Sequence, residues 1–226
     1  MHTISIPDYA IRLLQERGRY NLPLERIDPA QTALLVIDMQ NAFVSQGARL
    51  EIPYARSIVP VINGLAEALR SAGATVCWIQ TDFQHEAERW SYWFSKRLRS
   101  EAGAAMIAAL TPGNPGFDLY DGLTPVPSDL RCVKTRFSPF IAGSSNLDDE
   151  LRARGIGTVI VTGTVSNTCC ETTARDAMML NYRTIFVSDG NAARTDEEHN
   201  ATLANIVQTF GEVASTAEIV RNLAGA

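Results

Sequence analysis

Four cysteines are spread through 226 residues, and none stands in a Cys-x-x-Cys pair or in a Cys/His cluster with zinc-ligand spacing. A chain of this length does not depend on disulfides for its core, so the four do not read as a disulfide framework. Cys77 and Cys132 fall inside predicted strands, where a small buried hydrophobe is the ordinary role. Histidine is scarcer still, with only His2, His85 and His199. Basic runs are missing: 20 Lys+Arg against 25 Asp+Glu give a net charge of −5, which argues against a nucleic-acid partner. No apolar stretch reaches the length of a membrane span, so no membrane partner is expected. The opening segment MHTISIPDYAIRLLQERGRY lacks the charged start and continuous apolar core of a signal peptide. The expected location is cytoplasmic.

What the chain does have is an ordinary globular composition, 46% hydrophobic and 20% charged, with β-branched runs alternating with helical periods. Thr32–Asp38 (TALLVID) is a nearly continuous apolar run ending in a carboxylate, the pattern of a strand buried on both faces. Further strands are predicted at 74–81, 131–134, 158–162 and 182–188, and a last short one after Glu212. Helices are predicted at 54–72, 147–154, 169–180 and 196–210, the last begun by Thr195 as a cap, and at the C-terminus. Residues 111–128 read as a loop with a short strand. This alternation predicts an α/β fold, a doubly wound three-layer sandwich with a mostly parallel central sheet of five to six strands and helices on both faces. With no repeat and no linker, residues 1–226 read as a single domain, and 1–30 as an N-terminal arm with a short helix near 9–16.

Three ionisable residues share one address in that scheme. Asp38, Lys134 and Cys169 each stand at or just past the end of a different predicted strand, and in a parallel sheet those ends lie on one edge. A thiolate attacks an acyl carbon, a carboxylate takes the thiol proton, and an ammonium lowers the thiol pKa and holds the carboxylate. The expected strand–turn–helix around Cys169 adds unpaired N–H groups and a helix dipole that favour a thiolate and receive an oxyanion. Each residue alone has an ordinary alternative: a loop cap for Asp38, a solvated charge for Lys134, a buried helix-start residue for Cys169. Adjacent helical residues point about 100° apart, so only one of Cys169 and Cys170 faces a pocket well.

The segments TALLVIDMQNAF, CVKTRFSPF and VTGTVSNTCCETTARDA resemble the three signature regions of the isochorismatase-like cysteine hydrolases. That superfamily includes nicotinamidase, N-carbamoylsarcosine amidohydrolase, ureidoacrylate amidohydrolase and biuret hydrolase. The resemblance puts the family's Asp on Asp38, its Lys on Lys134 and its nucleophile on Cys169, with an ordinary hydrophobic position at Cys170. It also implies a non-proline cis peptide at Thr164–Val165, which turns the Val165 N–H toward an oxyanion hole shared with that of Cys169. Arg175 and Asp176 resemble residues of the family helix and read as its anchors.

Two departures narrow the substrate. Nicotinamidases resemble one another in an Asp-x-His metal pair after the second strand, whereas here the stretch is Asp82-Phe83-Gln84-His85, with the His one place late. Neither His2 nor His199 is placed to complete such a site, so no metal and no cofactor are expected. Isochorismate-cleaving members lack the nucleophilic cysteine, which Cys169 supplies here. The resemblance therefore implies a metal-independent cysteine amidohydrolase acting on a small amide, ureide or N-carbamoyl compound through a thioester and releasing ammonia. The alternatives are a nicotinamidase-like amidase and, from a different class, a noncatalytic thiol redox sensor at Cys169-Cys170. Asn41, Phe43, Trp90, Phe137 and Phe140 are the candidate substrate-binding residues, each with core packing as its alternative. The aromatic stretch 86–100 reads as a lid, as body packing or as a subunit contact. The family is usually dimeric or tetrameric, so a homodimer or homotetramer is expected.

Overall fold

The computed structural model describes residues 1–18 and 24–223. Six strands, β1 (Thr32–Ile37), β2 (Thr75–Thr81), β3 (Leu130–Lys134), β4 (Thr158–Thr164), β5 (Arg183–Ala192) and β6 (Glu212–Ala214), form one sheet in the order β3-β2-β1-β4-β5-β6. Every pairing is parallel. The sheet is therefore wholly parallel, at the upper end of the expected strand count.

Alternation within β1 decides which residues cover which face. Leu34 and Val36 join Val76, Trp78, Ile160, Ile185 and Val187 under the helices Ala55–Ser71 and Thr216–Arg221. Ala33, Leu35 and Ile37 point the other way, with Cys77, Ile79, Val159, Val161 and Phe186 under the helices Leu147–Ala153, Glu171–Met179 and Asp196–Asn205. Both faces of β1 are buried along its whole length, as the unbroken apolar run requires. Cys77 and Cys132 are core residues of the second face.

Several boundaries differ from the sequence expectation. The helix expected from residue 169 is preceded by a wide turn, Ser166–Cys170, closed by the Cys170 N–H on Val165 O at 3.2 Å, and the α-helix begins at Glu171. Strand β5 runs on to Ala192, with its register against β4 shifted between Val161 and Gly163. The strand expected within 111–128 reduces to a single antiparallel bridge, Gln40 with Leu119, because this Pro- and Gly-rich stretch bonds mainly through turns. A helix at Ser100–Ala109 follows the aromatic segment and escaped the sequence reading. Thr195 does cap its helix, accepting from the Glu198 N–H at 3.2 Å, but the α-helix stops at Asn205 and a wide turn continues to Phe210.

The first part of the N-terminal arm packs on the second face, while Leu24 and Ile27 join the core of the first. Its helix, Asp8–Glu16, lies against the turn Ile206–Phe210, and its first residues run beside the helix Asp196–Asn205. The part of the arm at 19–23, including Pro23, lies outside the described residues, as do 224–226 of the terminal segment. Among the described residues no helix is long and apolar enough to cross a membrane.

Gly163 permits the closest approach in the sheet. Its φ is +115°, and a Cβ there would lie 2.1 Å from Ile37 O and 2.7 Å from Ile37 N. Gly163→Ala is expected to cost at least about 3 kcal/mol, read as a fall in the urea midpoint or as loss of soluble protein. A second expectation concerns acid. Burial, then the neighbouring His2, pulls His199 from 6.5 down to about 4, against weaker support from the Ser188 carbonyl and Asp196. A neutral imidazole is thus favoured in the fold, so this stabilisation is full above pH 6.5 and is lost as pH falls toward 4. It is on the order of 3 kcal/mol. Urea unfolding at pH 7 and pH 4.5 should show a larger loss for the wild type than for His199→Gln; equal losses would contradict the assignment.

Candidate active site

The strand order reverses between β1 and β4: β2 and β3 lie on one side of β1, and β4 to β6 on the other. Ligands of open parallel sheets sit at this reversal, outside the carboxyl ends of the strands. Asp38 follows β1, Lys134 ends β3, and Cys169 lies in the wide turn after β4.

Asp38 takes up a left-handed backbone, φ +50°, which Asp tolerates better than most side chains. Its N–H donates to Ile79 O at 2.9 Å, and its carbonyl accepts from Thr164 Oγ1 at 2.8 Å. The residue is thereby fixed between the two neighbouring strands. Lys134 is wholly buried, and its Nζ has three partners: Asp38 Oδ2 at 2.9 Å, Thr81 Oγ1 at 2.5 Å and Arg136 O at 3.2 Å. All three ammonium protons are thus accounted for. Thr81 Oγ1 donates in turn to Asp38 Oδ1 at 2.8 Å, so both carboxylate oxygens accept. Thr81 was not singled out from the sequence. Its signal was its place at the end of β2, in register with Lys134.

The Cys169 thiol lies beside this pair. Burial pushes it well above the ordinary thiol value; the Asp38 carboxylate adds to the rise and the Lys134 ammonium opposes it. The net direction is opposite to the lowering expected from the helix N-terminus and Lys134. One ammonium balances only one anion in a buried space, and the hydrogen bonds place that anion on Asp38, leaving the proton on sulfur. Lys134 itself is pulled down by burial, but Asp38 and Cys169 outweigh this and its pKa is raised. Cys170 is a core residue with 0% exposure, its Sγ 3.9 Å from Thr162 O.

A cavity of about 200 Å³ opens over Asp38 and Cys169. Phe43, Phe83, Trp93 and Phe137 form apolar walls, with Met106 and Leu110 from the unexpected helix and its end. Arg194 also lines it, and its guanidinium makes no ion pair and no side-chain hydrogen bond among the described residues. The Thr164–Val165 peptide is cis; Val165 lines the cavity, and its N–H makes no hydrogen bond among the described residues.

Of the residues expected to bind substrate, Phe43 and Phe137 reach this cavity. Trp90 does not: it stands behind the wall, edge-on to Phe137 at 4.9 Å and stacked on Trp93 at 5.6 Å. The aromatic segment therefore contributes Trp93 rather than Trp90. Asn41 lines a separate recess and is occupied by Pro115 O at 2.9 Å. Phe140 packs on Tyr182 in the core of the second face. Arg175 ion-pairs with Glu171 and lies over Phe210, anchoring its helix as expected. Asp82 accepts from the Gln84 N–H at 2.7 Å within its own turn, and no group of three or more His, Cys, Asp or Glu able to hold a metal occurs among the described residues. A larger cavity, about 500 Å³, opens at the amino-terminal ends of β5 and β6 beside Tyr182, Arg183 and Thr184, on the edge away from Asp38 and Cys169.

Comparison with known proteins identifies the family. Residues 32–218 match the Isochorismatase domain. The ureidoacrylate amidohydrolase RutB of Caulobacter vibrioides is 37% identical over 208 residues, covering 85% of this chain and 91% of the relative. A cysteine hydrolase from Pseudomonas syringae pv. phaseolicola superposes with a TM-score of 0.78 at 32% identity, covering 89% of this chain and 97% of the other. An N-carbamoylsarcosine amidase from Thermoplasma acidophilum does so with a TM-score of 0.64 at 28% identity, covering 82% and 96%. By sequence and fold, the chain belongs to the isochorismatase family of hydrolases.

Proposed function

We propose that the protein is a cysteine amidohydrolase that cleaves the C–N bond of a small N-carbamoyl or ureido acid, with no step routed through a metal. The observation that carries this reading is the convergence of Asp38 and Cys169 on one small cavity that Arg194 also lines. Asp38 takes the proton from Cys169 as sulfur attacks the carbonyl carbon. The Val165 and Cys169 N–H groups receive the oxyanion, and Asp38 returns the proton to the departing ammonia or amine. Water, activated by Asp38, then hydrolyses the thioester, releasing an acid, or a carbamate that decays to carbon dioxide and ammonia. Lys134 holds the Asp38 carboxylate in place and balances its charge throughout.

Arg194 supports the acid end of the substrate. It lines the cavity with no carboxylate partner among the described residues, and a bidentate substrate carboxylate matches a guanidinium. The names of the relatives point the same way: ureidoacrylate and N-carbamoylsarcosine each pair a carbamoyl group with a carboxylate. A planar aromatic amide is the second reading, favoured by Phe43, Phe83, Trp93 and Phe137, but it leaves Arg194 unused. A redox pair at Cys169-Cys170 gives no role to the buried Lys134–Asp38 pair.

The test is ammonia release, with chelator present, over ureido acids, carbamoyl amino acids, biuret, nicotinamide and simple amides. A ureido or carbamoyl acid should be turned over, and Cys169→Ala should abolish this while Cys170→Ala stays within a few-fold of wild type. Arg194→Gln should raise KM for acidic substrates about tenfold or more and leave neutral amides unchanged. Turnover that survives Cys169→Ala, or that chelator removes, would sink the proposal.

A further inference from the structure

The turn that carries the oxyanion donors is braced from behind by side chains that begin in the N-terminal arm. Ser166 follows Val165, and its Oγ lies 2.8 Å from His199 Nδ1 in a wholly buried contact. His199 Nε2 lies 2.9 Å from Ser188 O, which only accepts. Nε2 therefore carries the proton, and Nδ1 accepts the Ser166 hydroxyl. The His2 ring stacks on His199, with centroids 4.3 Å apart and planes 7° from parallel.

His2 is itself fixed at both nitrogens. Nε2 accepts the Ala193 N–H at 3.0 Å, which leaves Nδ1 to donate to Asp196 Oδ1 at 2.8 Å. Tyr54 packs against the same ring at 4.0 Å, and the His2 side chain is only 2% exposed. Ala193 precedes Arg194, so one imidazole from the arm touches the support of the oxyanion turn and the backbone next to the cavity's free cation. Residue 2 lies outside the matched family domain, which begins at 32. A surface arm that served only to cover core would have no need of a doubly hydrogen-bonded, stacked histidine at its tip.

We infer that His2 and His199 are positioning residues: through Ser166 they fix the Val165–Ser166 turn, and the N-terminal arm is thereby part of the working site. The inference rests on reading Cys169 as the nucleophile and Val165 as an oxyanion donor. Its readout separates those roles. Alkylation of Cys169 by iodoacetamide forms no oxyanion, whereas amide cleavage does.

His2→Ala and Ser166→Ala, each checked for wild-type circular dichroism, are compared with wild type and Cys169→Ala on the best ureido or carbamoyl acid. The expected result is a kcat about tenfold lower in both, part of the 10²–10³-fold that loss of a whole oxyanion donor costs, with the iodoacetamide rate within twofold of wild type. Ser166→Ala removes one hydroxyl and leaves the arm docked, so it carries the test if His2→Ala does not fold. A folded variant with wild-type kcat, or an alkylation rate that falls in step with kcat, would overturn the inference. If Cys169→Ala retained turnover, the failure would lie with the nucleophile assignment instead.

Discussion

The rest of the site depends on one buried ion pair. Lys134 and Asp38 are 0% and 1% exposed and 2.9 Å apart. Desolvating two such charges costs several kcal/mol each, which mutual attraction offsets only when the remaining donors and acceptors are satisfied. Thr81 and the Arg136 carbonyl supply that satisfaction. Removing either partner strands a charge in the core, at a cost of about 3–5 kcal/mol. The proposed function gives this structural liability a purpose, a fixed, charged proton acceptor for Cys169.

The sheet brings these residues together because it is wound both ways from β1. Asp38 follows the central strand, Thr81 and Lys134 end the two strands to one side, and Cys169 follows the neighbour on the other. Gly163 lets β4 pass close against Ile37, and the turn at Ser166–Cys170 then swings Cys169 to the cavity and Cys170 into the core. A one-residue difference between two identical side chains is thus decided by backbone geometry.

Much of this was legible in the sequence, for physical reasons. A strand buried on both faces must be almost wholly apolar, so TALLVID announced β1 and left Asp38 conspicuous at its end. Cys169 and Lys134 were visible through the same strand-end logic and through family resemblance. Thr81 and Arg194 were not, because a threonine ending a strand and an arginine after one are common, and only tertiary convergence gives them partners or a cavity. Trp90 and Trp93 differ by three positions on one aromatic segment, so which of them meets the cavity depends on the local wide turn at 93–97 rather than on residue type. The helix Ser100–Ala109 was missed because its alanine-rich sequence has almost no polar face to mark its period. The contacts of the arm were hidden for a simpler reason: His2 is distant in sequence from everything it touches.

The central claim is that one negative charge is shared by Asp38 and Cys169 opposite Lys134, and that at rest it sits on Asp38. The most direct measurement is the pH dependence of Cys169 alkylation in the wild type and in Asp38→Asn. With the carboxylate in place, the rate should stay low through neutral pH and climb only above the ordinary thiol range. Without it, Lys134 has no other anion to balance, and the midpoint should fall. A wild-type midpoint near neutrality, or one that Asp38→Asn leaves unchanged or raises, would contradict the account.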